Sequence, residues 1–94
     1  MDVKNAVAMA KQEIRNLFAE EGISDLGLEE VEYDDAERMW RVTIGFSRPW
    51  NEPKGRLDEF AGAKKGRDYK VVRIENLTDG TNEIRSVRRP EARV

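Results

Sequence analysis

The side chains that could do chemistry fall into three groups: an acidic run, scattered serines, and a basic segment with aromatics in it. The acidic run is "LEEVEYDD", residues 28–35, whose Glu29, Glu30, Glu32, Asp34 and Asp35 offer oxygen ligands for a hard cation or carboxylates for acid–base work. A calcium loop needs alternating acids, a central Gly and a closing Glu, and that pattern is absent. Carboxylates at alternate strand positions mark a solvated face, so no metal is expected. Paired catalytic carboxylates must converge in a pocket that splits their pKa values, and nothing in this run points to burial. Ser24, Ser47 and Ser86 lack an activating base, because the chain holds no His. No Cys is present either, which removes thiolate nucleophiles, thiolate metal sites and disulfides. No catalytic residue and no cofactor is expected, and the chain does not read as an enzyme.

The basic segment is "RPWNEPKGRLDEFAGAKKGRD", residues 48–68. Within it "GAKKGRD" sets Gly62 and Gly66 around Lys64 and Lys65, as a phosphate-cradling loop would. However, Arg67 follows Gly66 where the P-loop needs Lys and then Ser or Thr, and no strand-to-helix junction frames the motif. Lys54, Lys64, Lys65, Arg67, Lys70 and Arg73, with Trp50 and Phe60 as stacking surfaces, form a candidate contact for an anion or nucleic acid. Arg85, Arg88 and Arg89 can join from a neighbouring strand. Asp58, Glu59 and Asp68 in the same stretch, and a pI of about 5.3, argue against it. Protein contact is the leading reading. Trp50, Phe60, Tyr69 and Val71 are the apolar anchors an interface uses, with Arg48 and Arg56 at its rim. The same side chains can instead form a lid over their own sheet, "LDEFAGA" turning Leu57 and Phe60 inward.

These groups need elements to hold them, and 94 residues allow one domain with one core, 1–94. Hydrophobic and charged residues each make up 38%, so the core is thin and the surface heavily charged. No apolar run approaches the roughly 18 residues of a membrane span. "MDVKNAVAMAKQEIRN" also lacks a signal peptide's apolar centre. A cytoplasmic location and no membrane contact are expected. Net charge is −2, but residues 1–47 carry 5 Lys/Arg against 11 Asp/Glu, and residues 48–94 carry 12 against 8. That polarity can steer a partner or let two copies meet acidic face to basic face, if folding preserves it.

Val3, Val7, Ala10, Ile14, Leu17 and Phe18 recur at three- and four-residue steps, with Ala6 beside them, predicting an amphipathic helix. Asp2 suits its N-cap and Gly22 a left-handed C′ position. Val31 and Tyr33 alternate with Glu30 and Glu32 as in a strand, and "DDAER", 34–38, supplies a turn. Trp40, Val42, Ile44 and Phe46 then point one way while Arg41, Thr43, Gly45 and Ser47 point the other. "DYKVVRIEN" is a third strand with Val72 and Ile74 on one side and Tyr69 and Val71 on the other. Asp79-Gly80 turns it into "EIRSVRR", and residues 90–94 form a frayed tail. The prediction is an α+β fold: one N-terminal helix packed on a four-stranded antiparallel meander in two layers, α-β-β-β-β, with a long β2–β3 connection at 48–68. One helix covers one face of such a sheet, so the other must be shielded by the connection or by a second molecule.

"YKVVRIENLTDGTNEIRSVRR", a Val/Ile strand, an Asp-Gly turn and a strand reading "EIRSV", resembles the C-terminal hairpin of PepSY-type domains. These are small helix-plus-meander modules that act as inhibitory or regulatory pieces. The helix and "MWRVTIGF" fit the same layout, while residues 48–68 exceed the short PepSY connection. A helix followed by a meander with a "WRVT" strand is also similar to gas-vesicle accessory proteins of the GvpO type. The resemblance implies the fold layout and no functional residue. The expected function is a non-catalytic interaction, regulatory or accessory domain, homodimeric through the open sheet face. Its partner is then another protein or a second copy of itself. Nucleic-acid or anion binding through residues 54–73 is the alternative.

Overall fold

The computed structural model describes residues 2–49 and 67–90. The connection expected at 48–68, except Arg48, Pro49, Arg67 and Asp68 at its ends, and the tail beyond Pro90 lie outside the described residues. Helix α1 runs Val3–Leu17. It starts where expected, because the Asp2 carboxylate accepts a hydrogen bond from the Asn5 amide at 2.9 Å and satisfies a donor that has no partner within the helix. The helix closes at Phe18, whose amide donates to the Ile14 carbonyl at 3.1 Å. A tightened 3₁₀ turn, Ala19–Glu21, then carries the chain to Gly22. Gly22 is left-handed (φ 65°) as expected, but it ends this turn rather than α1 itself.

Four strands follow: β1 Ser24–Asp34, β2 Met39–Ser47, β3 Arg67–Asn76 and β4 Asn82–Arg88. They form one antiparallel sheet in the order β1-β2-β3-β4. The β1–β2 turn is fastened by Asp34, which accepts from the Glu37 amide at 3.1 Å, and Arg38 takes a left-handed φ of 54°. At the β3–β4 turn Asp79 accepts from the Thr81 amide at 2.9 Å and from its hydroxyl at 2.6 Å, with Gly80 at φ 90°. Both are side-chain-stabilised turns of the type that short Asp/Gly stretches favour.

The predicted alternation sorts the sheet into two faces. Val42, Ile44 and Phe46 of β2 and Val72 and Ile74 of β3 are fully buried against Ala6, Ala10 and Ile14 of α1. Burying each of the larger side chains contributes roughly 1.5–3 kcal/mol. Ala6 and Ala10 are small enough to let the helix axis lie close over β2. Trp40 packs at the core's margin with its ring 4.8 Å from that of Tyr33, the residue opposite it in the β1–β2 register. Ile84 and Val87 of β4 pack at the other margin, half-buried. The protein is an α+β domain with one N-terminal helix on one face of an open four-stranded antiparallel sheet.

Candidate functional site

The sheet face away from α1 is built in cross-strand rows. The registers place Glu32, Arg41, Arg73 and Ser86 in one row, and Glu30, Thr43, Val71 and Arg88 in the next. Below them run Asp34, Met39, Glu75 and Glu83; above them Gly27, Gly45 and Tyr69. In the two central rows carboxylates therefore stand on β1 and arginines on β2, β3 and β4, while Glu75 and Glu83 put carboxylates on β3 and β4 in the row below.

Arg41 and Arg73 face each other directly across β2 and β3, an arrangement that repels unless it is compensated. Glu37, rising from the β1–β2 turn, compensates both, at 3.2 Å from Arg41 and 3.5 Å from Arg73. Arg41 also reaches Asp34 at 3.1 Å and Glu32 at 3.6 Å. The amide of Glu37 and the guanidinium of Arg41 hold the Asp34 carboxyl below its usual pKa. The same contact with Asp34 raises that of Arg41. Along β3 and β4, Arg85 ties Glu75 to Glu83. A bulge between Arg73 and Ile74 in the β3–β4 register lets it do so.

These rows floor a groove of about 620 Å³, lined on one side by Glu30, Glu32 and Glu37 and on the other by Arg73, Arg88 and Arg89. Thr43 and Val71 lie at its base. Glu30 and Arg88, at the two ends of one row, are exposed, and among the described residues neither makes an ion pair. At the groove's upper end Arg67 donates to the Asp25 carbonyl at 2.9 Å and pairs with Glu29 at 3.6 Å. That pair and the Tyr69 ring lie over Gly45. A Cβ there would come within 2.7 Å of the Arg67 guanidinium and 3.0 Å of the Tyr69 ring, which accounts for a Gly in mid-strand.

Of the expected interface residues, Tyr69 and Val71 lie on this open face, Tyr69 exposed and Val71 half-buried. Arg48 does not join them. Its guanidinium sits on the helix side, 4.7 Å from the Phe18 ring and 5.6 Å from the Phe46 ring, 2.9 Å from Glu21 and 2.6 Å from Asp68. Strand alternation is the reason: Arg48 follows Ser47, so it returns to the side of Phe46. Trp50, Phe60 and Arg56 lie outside the described residues, as do Lys54, Lys64 and Lys65 of the basic group. Of the remaining basic candidates, Arg67 and Arg73 lie on the open face. Lys70, opposite the buried Ile44, falls on the helix side. The three therefore do not form one cationic surface.

Glu37, Arg41 and Gly45 were not singled out from sequence. The alternation of β2 already placed Arg41 and Gly45 outward, but nothing linear tied Glu37 to Arg73. Among the described residues no cluster of three or more acidic side chains is placed to hold a metal ion. None of their helices is long and apolar enough to cross a membrane. Compared with known proteins, the chain matches no family, no curated protein and no solved structure.

Proposed function

We propose that this protein is a non-catalytic interaction domain that pairs with a second copy of itself through the open face of its sheet. The observation that carries the reading is the Glu30–Thr43–Val71–Arg88 row, with a carboxylate at one end and a guanidinium at the other, neither ion-paired among the described residues, and neutral side chains between. A two-fold axis lying between two such faces and parallel to their strands sets Glu30 of each copy against Arg88 of the other. Such an isologous contact is the commonest way identical chains associate. Arg41 and Arg73, which the same rotation brings together, are already neutralised by Glu32, Asp34 and Glu37. Tyr69 supplies exposed apolar area beside the row and Val71 lies within it. The sequence resemblance to PepSY-type modules, whose role is inhibitory or regulatory, fits a domain that acts by contact. A cytoplasmic setting belongs to the same reading.

The test is the sedimentation mass of charge-reversed variants. Glu30→Arg alone or Arg88→Glu alone shifts the mass toward the monomer, and the two together restore the dimer because each reversed charge meets the other. A monomeric parent chain, or a double variant no better than either single one, ends the proposal. Polyanion binding through residues 54–73 draws less support, because Arg67 and Arg73 already hold carboxylates and Lys70 lies on the opposite side of the sheet from them.

A further inference from the structure

A second concave surface lies away from the open face, between α1 and β1. Val3, Val7, Ala8 and Leu28 line an apolar groove of about 550 Å³, within the range of ligand-binding clefts. Val3 and Leu28 are each 43% exposed, whereas Ala6, Ala10 and Ile14 of the helix stripe are fully buried, so apolar area here remains uncovered. Lys4, Lys11 and Arg15 border it. At separations of seven and four residues they fall on one stripe of the helix, beside Val7. No carboxylate lines the groove, and among the described residues none of the ion pairs involves these three cations. Elsewhere arginines are heavily paired: Arg41, Arg48, Arg67, Arg73 and Arg85 all hold carboxylates. A stripe of cations without an ion pair among the described residues, set beside exposed apolar side chains, is the complement of a segment that carries both acidic and apolar side chains.

We infer that the α1–β1 groove docks an extended acidic-and-apolar segment of a protein partner. Its apolar side chain enters between Val3, Val7 and Leu28, and its carboxylates meet Lys4, Lys11 and Arg15. One feature favours a peptide over an anionic membrane: Leu28 belongs to β1, an edge strand whose outer backbone groups pair with no other strand among the described residues, and an extended chain can add to such an edge. Lys4 to Arg15 spans about 16 Å of helix, the length of about five residues of extended chain.

The experiment uses the full chain and fluorescein-labelled short peptides with a central Leu or Phe flanked by Asp/Glu, by Lys/Arg, or by Ser/Asn. Fluorescence anisotropy reads affinity, and phosphatidylserine-containing vesicles are tested in parallel by co-sedimentation. The acidic set binds preferentially. Lys11→Glu with Arg15→Glu weakens it about tenfold, and Leu28→Ser weakens it comparably, with far-ultraviolet circular dichroism showing the fold retained. Binding that ignores peptide charge, or that survives the double reversal, overturns the inference. So does vesicle binding without a preference for acidic peptides. The double reversal leaves the Glu30–Arg88 contact intact, so the sedimentation mass separates failure here from failure of the self-association.

Discussion

At the scale of single residues, arginines fasten this protein, each in a different way. Arg48 is 17% exposed and spreads a planar guanidinium over Phe18 and Phe46 while bonding Glu21 and Asp68. It thereby joins the end of α1, β2 and β3 at one point. A Lys keeps the charge but neither the fork nor the stacking plane. Arg48→Lys is therefore expected to cost about 1 kcal/mol and Arg48→Ala about 2 kcal/mol or more, read from urea unfolding midpoints. An equal stability for all three chains would remove Arg48 from this role. Asp34 makes the second residue-scale prediction. Its folded pKa lies below the unfolded value of about 3.9, because it accepts hydrogen bonds from the Glu37 amide and Arg41. Its stabilising contribution is then present above about pH 4 and drains away as pH falls through the lower folded value. Asp34→Asn should flatten the loss of stability on acidification below about pH 4, and an unchanged acid slope would contradict the sign.

Among the elements, α1 and β2 were the most legible, for the same physical reason. A stripe at three- and four-residue steps and a run at two-residue steps each define a face without reference to anything else in the chain. Ala6 and Ala10 belong to the helix stripe, and their small size sets how closely α1 approaches Val42 and Ile44. Ala10→Leu should overpack this contact and cost about 1–3 kcal/mol in urea unfolding, a large share of a small domain's margin. A neutral effect would mean that the helix rides higher than the fully buried Ala10 implies. The start of β1 was less legible. Ser24, Asp25, Leu26 and Gly27 have turn-forming composition, yet they pair with β2 through Ser47 and Gly45. Irregularities in that register and a left-handed Asp25 (φ 53°) are the accommodation the pairing requires. Tertiary pairing overrides local preference there, and no local pattern announces it.

The whole molecule depends on strand order. An acidic first half and a basic second half would cancel if the strands interleaved, but the order β1-β2-β3-β4 keeps sequence neighbours adjacent in space. Along the two central rows of one face the polarity of the chain thus becomes a gradient, from Glu30 and Glu32 to Arg88 and Arg89, while Glu75 and Glu83 interrupt it in the row below. Self-association through such a face should weaken as salt rises toward 1 M, where the screening length falls to about 3 Å. The sedimentation series that tests the charge reversals gives this readout directly. An association insensitive to salt would point to Tyr69, Val71 and other apolar groups as the main contacts.

Local periodicity was enough to specify the helix, strands β2, β3 and β4, the later half of β1 and their inward faces, because each is a property of residues close together in the chain, and composition alone excluded histidine and cysteine chemistry. Which charges meet was settled only in three dimensions. Glu37 bridges Arg41 and Arg73, Arg48 turns to the aromatic side, and Lys70 parts from Arg73, all through registers between strands far apart in sequence. Those registers follow from burying Val42, Ile44, Phe46, Val72 and Ile74 under one helix, and the outer charges take whatever neighbours that burial assigns them.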